Sequence, residues 1–188
     1  MREIDAKVNY DANKKIYVAL GNVAKDLDLK VMQSYQVTKE LKIDSRTLAL
    51  VPIIEEESSE KVEFCIGKPV AVSDEIVMPR VCIDTGYSLD KDNISSIIHK
   101  AEKFKYIHPY VRYGVLNFRA KELDWKLASK PLGRIDFIEA VGELMDHPDK
   151  LEAHLQELIE QQVSVCENLL NVVEGGAPLR SIRRVLFY

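Results

Sequence analysis

Between Leu29 and Ile43 the chain alternates. Leu29, Val31, Tyr35, Val37, Leu41 and Ile43 fall on one parity, and Lys30, Ser34, Gln36, Thr38, Glu40 and Lys42 on the other. Met32 is the one apolar residue out of place. Successive side chains of a strand point to opposite faces, so this pattern gives one apolar and one polar face only if the backbone is extended. It predicts one long half-buried strand or two consecutive ones. A strand buried on one face needs a sheet and a layer to cover it, which sets the terms for the rest of the chain.

The flanking segments are read the same way. Residues 3–10 and 15–21 are expected to be short strands around a turn at Asp11-Ala12-Asn13, with Ile4, Ala6 and Val8, then Ile16, Val18 and Leu20, on their apolar faces. A helix through Val23, Leu27 and Val31 competes with the start of the alternating segment. Residues 46–54 form another strand candidate, and Pro52 pushes it towards a sheet edge because it lacks the N–H a central strand requires. The acidic and serine run at 55–60 reads as a solvated loop and a boundary. Beyond it, 61–67, 69–73 and 80–84 look like buried strands. Asp90 is placed to cap a helix whose stripe runs through Ile94, Ile97, Ile98, Ala101 and Phe104. Residues 110–118 return to strand character. From Gly133 a helical stripe is expected through Phe137, Ile138, Val141, Leu144 and Met145. Asp146-His147-Pro148-Asp149 then restarts a helix, with proline in the first turn and an acid near the positive end of the dipole. Leu151, Leu155, Leu158, Ile159, Cys166, Leu169 and Val173 continue its apolar face, and Gly175-Gly176 with Pro178 ends it. The expected class is α+β. A strand-rich N-terminal segment (1–60) with possible inter-subunit strands precedes an α/β core (61–118), and a C-terminal helical segment with a tail (119–188) follows.

Composition narrows the function classes. Hydrophobic residues make up 46% of the 188, enough for a core, and a net charge of -4 disfavours a dedicated nucleic-acid binder. No stretch approaches the roughly 20 apolar residues that span a bilayer, and the first residues have no apolar signal-peptide core. Cys65, Cys82 and Cys166 form no Cys-x-x-Cys pair and read as reduced, buried thiols of a cytoplasmic protein.

Few motifs carry chemistry. Asp84-Thr85-Gly86 after Val81, Cys82 and Ile83 looks like an aspartic-protease loop. That chemistry needs two carboxylates sharing a proton, and Tyr87 stands where the pattern has Ala or Ser. A strand ending in an Asp-Thr-Gly turn is the simpler reading. Asp124-Trp125-Lys126 has the carboxylate-x-lysine order of metal-dependent nucleases, but it sits beside a helical segment with no upstream acidic partner. The histidines, including His147 and His154 seven apart, lack metal-ligand spacing. Neither metal nor cofactor is expected. Arg180, Arg183 and Arg184 suit a solvated or interface face.

The order of several motifs resembles the small sheath subunit of type VI secretion systems, the VipA/TssB family. Phe64-Cys65-Ile66-Gly67 is similar to its apolar strand ending in glycine. Leu89 to Ile94, continued by Ile97-Ile98, is similar to its helix entry, and Val115-Leu116-Asn117-Phe118 to its next strand. Pro131-Leu132-Gly133, Phe137 to Leu144, and Asp146 to Leu158 resemble its C-terminal helical pair. The chain departs from the family in its compressed segment after Phe118, in its first sixty residues and in its extension past Ile159. The resemblance implies a non-enzymatic, cytoplasmic subunit that pairs with a large sheath subunit and with neighbouring sheath protomers around an inner tube protein. It implies terminal strands added across protomers, with Ile4, Ala6, Val8, Ile16, Val18, Leu20, Leu151, Leu155, Leu158, Val185, Leu186 and Phe187 at the interfaces. Another contractile-injection or phage-like structural or adaptor protein is the alternative. An aspartic-type hydrolase acting through Asp84 is a third.

Overall fold

A computed structural model describes residues 2–36, 38–43, 50–54, 61–70, 73–86, 91–123 and 133–174. Asp90, the acidic run at 55–60, Asp124-Trp125-Lys126 and everything after Glu174 lie outside the described residues.

The first element corrects the sequence reading. Residues Arg2–Asp26 form one helix, α1, not two strands. Ala12, Ile16, Ala19, Leu20, Val23 and Ala24 are buried, a spacing that follows 3.6 residues per turn. Val18, assigned by alternation to the same face as Ile16 and Leu20, is 56% exposed, whereas both of those are fully buried. The alternation of large aliphatics was coincidental, because alanines complete the buried stripe.

Strands β1 (Lys30–Gln36) and β2 (Thr38–Ile43) follow, resolving the long alternating segment into two consecutive strands. Among the described residues β3 (Leu50–Ile54) pairs with β2 alone, so Pro52 sits in a two-stranded ribbon where its missing N–H is tolerated. β4 (Lys61–Val70) and β5 (Ser73–Gly86) are longer than the three short strands expected there and form one antiparallel hairpin. Helix α2 (Lys91–Ile107) crosses to β6 (Arg112–Asn117). β7 (Phe137–Ala140) and a 3-10 turn (Gly142–Leu144) lead into α3 (Pro148–Glu174).

The expected helix through Phe137 and Met145 is thus a strand and a short turn. Phe137 packs into one core cluster and Ile138 into the other. A strand buried on both faces shows a contiguous apolar run, which periodicity alone does not separate from a helix. β7 lies against β6 with Phe137 over Gly114, where an added Cβ would overlap the phenyl ring.

The main sheet has the order β1-β4-β5-β6-β7. β1, β4 and β5 run antiparallel, whereas β5, β6 and β7 run parallel. The class is α+β. On one face Ile16, Leu20 and Val23 of α1 and Leu151, Leu155 and Ile159 of α3 cover Phe64, Ile66, Val81, Ile83 and Leu116. On the other face Ile94, Ala101 and Phe104 of α2 cover Cys65, Cys82, Tyr113 and Val115. The N-terminal sixty residues therefore contribute α1 and β1 to the same core as the segments after them. Burying each of Ile16, Leu20 and Leu155 contributes about 1.5–3 kcal/mol. Among the described residues no helix is long and apolar enough to cross a membrane.

Candidate functional site

In open sheets with parallel strands, ligands bind beyond the strands' carboxyl ends. Here that end is made by Asp84, Thr85 and Gly86 of β5 and Asn117 of β6, which stands opposite Gly86. β4 runs the other way, so its first residues, Lys61 to Glu63, lie at the same end.

Asp84 is buried and anchors this region. Its Oδ2 accepts from the Tyr113 hydroxyl at 2.6 Å and from Lys100 Nζ of α2 at 2.8 Å. Its Oδ1 accepts from the Glu63 backbone N–H at 3.2 Å. The pairing of β1 with β4 skips the Ser34–Glu63 step, and Ser34 has φ 53, a left-handed conformation uncommon for serine. The backbone is irregular where β4 turns an N–H to a carboxylate. Lys100 also donates to the Lys61 carbonyl at 3.0 Å. Two of its three N–H donors are so placed, and the third is uncommitted among the described residues.

Glu63 reaches the other side of the sheet, where the Asn13 side-chain amide of α1 donates to its Oε1 at 3.0 Å. Asn13 Oδ1 is buried and has no hydrogen-bond partner among the described residues. A buried acceptor left empty costs about 1–3 kcal/mol, so a ligand that supplies a donor or a positive charge is favoured there. The position one turn earlier, Asn9, accepts from Arg119 at 3.2 Å, while Asn117 Oδ1 accepts the Arg119 and Ala120 N–H groups at 3.1 Å. The rim is thereby tied to α1.

A second charged centre lies towards the start of β6. Asp136 pairs with Lys105 at 2.7 Å and with Arg112 at 2.9 Å, and its Oδ2 accepts the Tyr113 N–H at 2.7 Å. Arg112 also reaches Gln162 of α3. Here every contact joins the chain to itself, and the centre reads as a brace between the two faces.

Of the sequence-predicted sites, the Asp-Thr-Gly segment lies within β5, not in a loop. Among the described residues the partners of Asp84 are an ammonium, a phenol and an amide, with no second carboxylate to share a proton. His154 lies 3.4 Å from Glu139, and no group of three His, Cys, Asp or Glu side chains converges on one point among the described residues. All three cysteines are free and buried. Burial pushes the Cys82 thiol well above its ordinary range, and burial likewise pushes Cys166 up to about 12. Both are poor nucleophiles. Of the interface candidates, Ile16, Leu20, Leu151, Leu155 and Leu158 are buried in the chain's own core, and Val8 and Val18 are exposed. Ile4 and Ala6 lie on α1 at positions whose side chains are not described, and Val185, Leu186 and Phe187 lie outside the described residues.

Glu63, Lys100 and Tyr113 were not singled out from the sequence, and Asn13 was read only as part of a turn that is instead helix α1. Glu63 carried the one available signal, an acid within an apolar strand. No family model matches the chain, and no curated protein matches it significantly.

Proposed function

We propose that the chain is a hydrolase of phosphate esters that works with a divalent cation at Asn13 and Glu63. The observation that carries this reading is the unpartnered, buried Asn13 Oδ1 beside the Glu63 carboxylate, with Asp84 bonded to the Glu63 backbone. An amide oxygen and a carboxylate are hard donors of the kind magnesium and manganese select. Such ions are commonly held by one or two carboxylates together with a substrate phosphate. When bound, the cation supplies charge stabilisation and an activated water. The chain's own groups supply the rest. Lys100, 20% exposed and fixed by Asp84 and Lys61, braces the start of β4, which carries Glu63, from the other face of the sheet. Asp84 keeps Lys100 in place. Phosphodiester hydrolysis tests this. In magnesium, bis(4-nitrophenyl) phosphate or a short oligonucleotide should be cleaved, and Glu63→Gln should reduce kcat by at least about a hundred-fold. Absence of magnesium-dependent cleavage across a panel of phosphate esters would overturn the reading.

A second reading is the contractile-sheath subunit, pairing with a large sheath subunit and neighbouring protomers around an inner tube. Two observations favour it. α3 begins at Pro148 with Asp149 in its first turn, where the resemblance has a helix start. Val8, Tyr10 and Val18 leave apolar surface on α1 for a partner. Residues 3–20 are not strands, so this reading now rests on helix contacts. Co-expression with a large sheath subunit should give tubules by negative-stain microscopy, and a lone monomer under the same conditions counts against it. Under either reading we place the chain in the cytoplasm, consistent with its free thiols.

A further inference from the structure

We propose that the outer face of α1 pairs with a second copy of this chain, laid antiparallel with Val18 on the two-fold axis, a pairing that neither reading above requires. Asp11, Val18 and Lys25 follow one another at seven-residue steps, two helical turns each, so they form one stripe about 21 Å long. The stripe lies opposite the buried face of Ile16, Leu20 and Val23. Val18 is 56% exposed, and Asp11, Lys14 and Lys25 are exposed as well. On one flank Lys15 donates to the Met145 carbonyl at 2.8 Å and Asn22 to Glu152 of α3 at 2.6 Å. Asp11 and Lys25 make no hydrogen bond or ion pair among the described residues.

The two charges have opposite sign and stand at equal distances on either side of Val18. A stripe of this form complements itself only when antiparallel. Turning a second α1 about an axis through Val18 sets each Asp11 opposite the Lys25 of the other copy, twice in the dimer, around a Val18–Val18 contact. A parallel copy in register would set acid against acid and ammonium against ammonium. In the antiparallel pair Lys14 crosses Gly21 of the other copy. An added Cβ at Gly21 would meet nothing within 4 Å, so the backbones have room to approach and the lysine stem has room to lie. Tyr10, 70% exposed, borders the seam with aromatic surface of the kind interfaces use. The seam is one helix wide and half polar, so the dimer is reversible and its ion pairs weaken with salt.

Sedimentation velocity of the full chain from about 5 to about 500 µM, in about 20 mM salt, should show a monomer–dimer equilibrium that moves towards monomer in about 500 mM salt. Lys25→Asp should weaken the dimer at least about ten-fold, because it sets Asp11 against an acid. The double variant Asp11→Lys with Lys25→Asp exchanges the charges and should restore the dimer. Under mild oxidation Val18→Cys should cross-link, since the two copies of that position meet on the axis. Val8→Cys should not, because its two copies lie about 30 Å apart along the helices. Cys65, Cys82 and Cys166 are buried and stay out of this reaction. A monomer at every concentration, a dimer indifferent to Lys25→Asp, no rescue by the exchanged charges, or equal cross-linking from positions 8 and 18 overturns the proposal.

Discussion

Replacing Asp84 should destabilise the fold more than replacing Lys100, although the two form one ion pair. Asp84→Ala removes the acceptor of three donors. Tyr113 is fully buried, so losing its hydroxyl's bond to Asp84 costs about 1–3 kcal/mol. Lys100 also loses its counter-charge, although it keeps the Lys61 carbonyl and is 20% exposed. The sum is about 3–5 kcal/mol, the usual cost of removing one partner of a buried pair. Lys100→Ala leaves Asp84 with the Tyr113 and Glu63 donors, and about 1–3 kcal/mol is expected. The double variant should cost less than the two single costs together by about 1–2 kcal/mol, because it does not strand the ammonium. The assay is urea unfolding by far-UV circular dichroism in a chelator, with midpoints compared at constant slope. If Asp84→Ala costs less than Lys100→Ala, or the two costs add within about 0.5 kcal/mol, the account of Asp84 as the anchor of this network is wrong.

Other consequences follow from the same structure. Ile16→Ala should cost about 2–5 kcal/mol and Val18→Ser less than about 0.5 kcal/mol, a contrast that a period-two strand would not give, read from the same unfolding curves. Gly114→Ala should cost about 1–3 kcal/mol through overlap with the Phe137 ring, and Phe137→Leu should relieve part of that cost in the double variant. Stability should fall as pH rises above 9.0, the ordinary value for an exposed thiol, because folded Cys166 holds its proton to about 12 while the unfolded chain releases it. Burial raises Cys82 in the same sense, so Cys166→Ala should flatten that slope in part, as seen in unfolding midpoints at pH 8 to 10.

Local signals in the sequence were sufficient where one period held without competition. The alternation from Leu29 to Ile43 became β1 and β2, but not one apolar face: Val31 and Tyr35, of one parity, pack into opposite core clusters on either side of Ser34 at φ 53; the stripe from Ile94 to Phe104 became α2, and the cap-proline-acid signal at 146–149 opened α3 at Pro148. They failed where two periods fitted equally. In α1 the pairs Ile16–Leu20 and Val18–Leu20 satisfy opposite readings, and only the burial of Ala12, Ala19 and Ala24 decides between them. At β7 burial on both faces erased the alternation that marks a strand. The site was half legible. Asp84 stood out through its Asp-Thr-Gly setting, but its partners Glu63, Lys100 and Tyr113 lie 21, 16 and 29 residues away, and only the pairing of β4, β5 and β6 with the crossover helix brings them together. The empty acceptor on Asn13 has no sequence signature at all, because it is defined by what surrounds it.

The most direct measurement of the central claim is a crystal of this chain soaked in manganese, with data collected at the manganese absorption edge. The account predicts one strong anomalous peak within about 2.0–2.6 Å of Asn13 Oδ1 and a Glu63 oxygen. The peak should disappear in Glu63→Gln. A well-ordered crystal with manganese at other surface carboxylates and none at this site would contradict it.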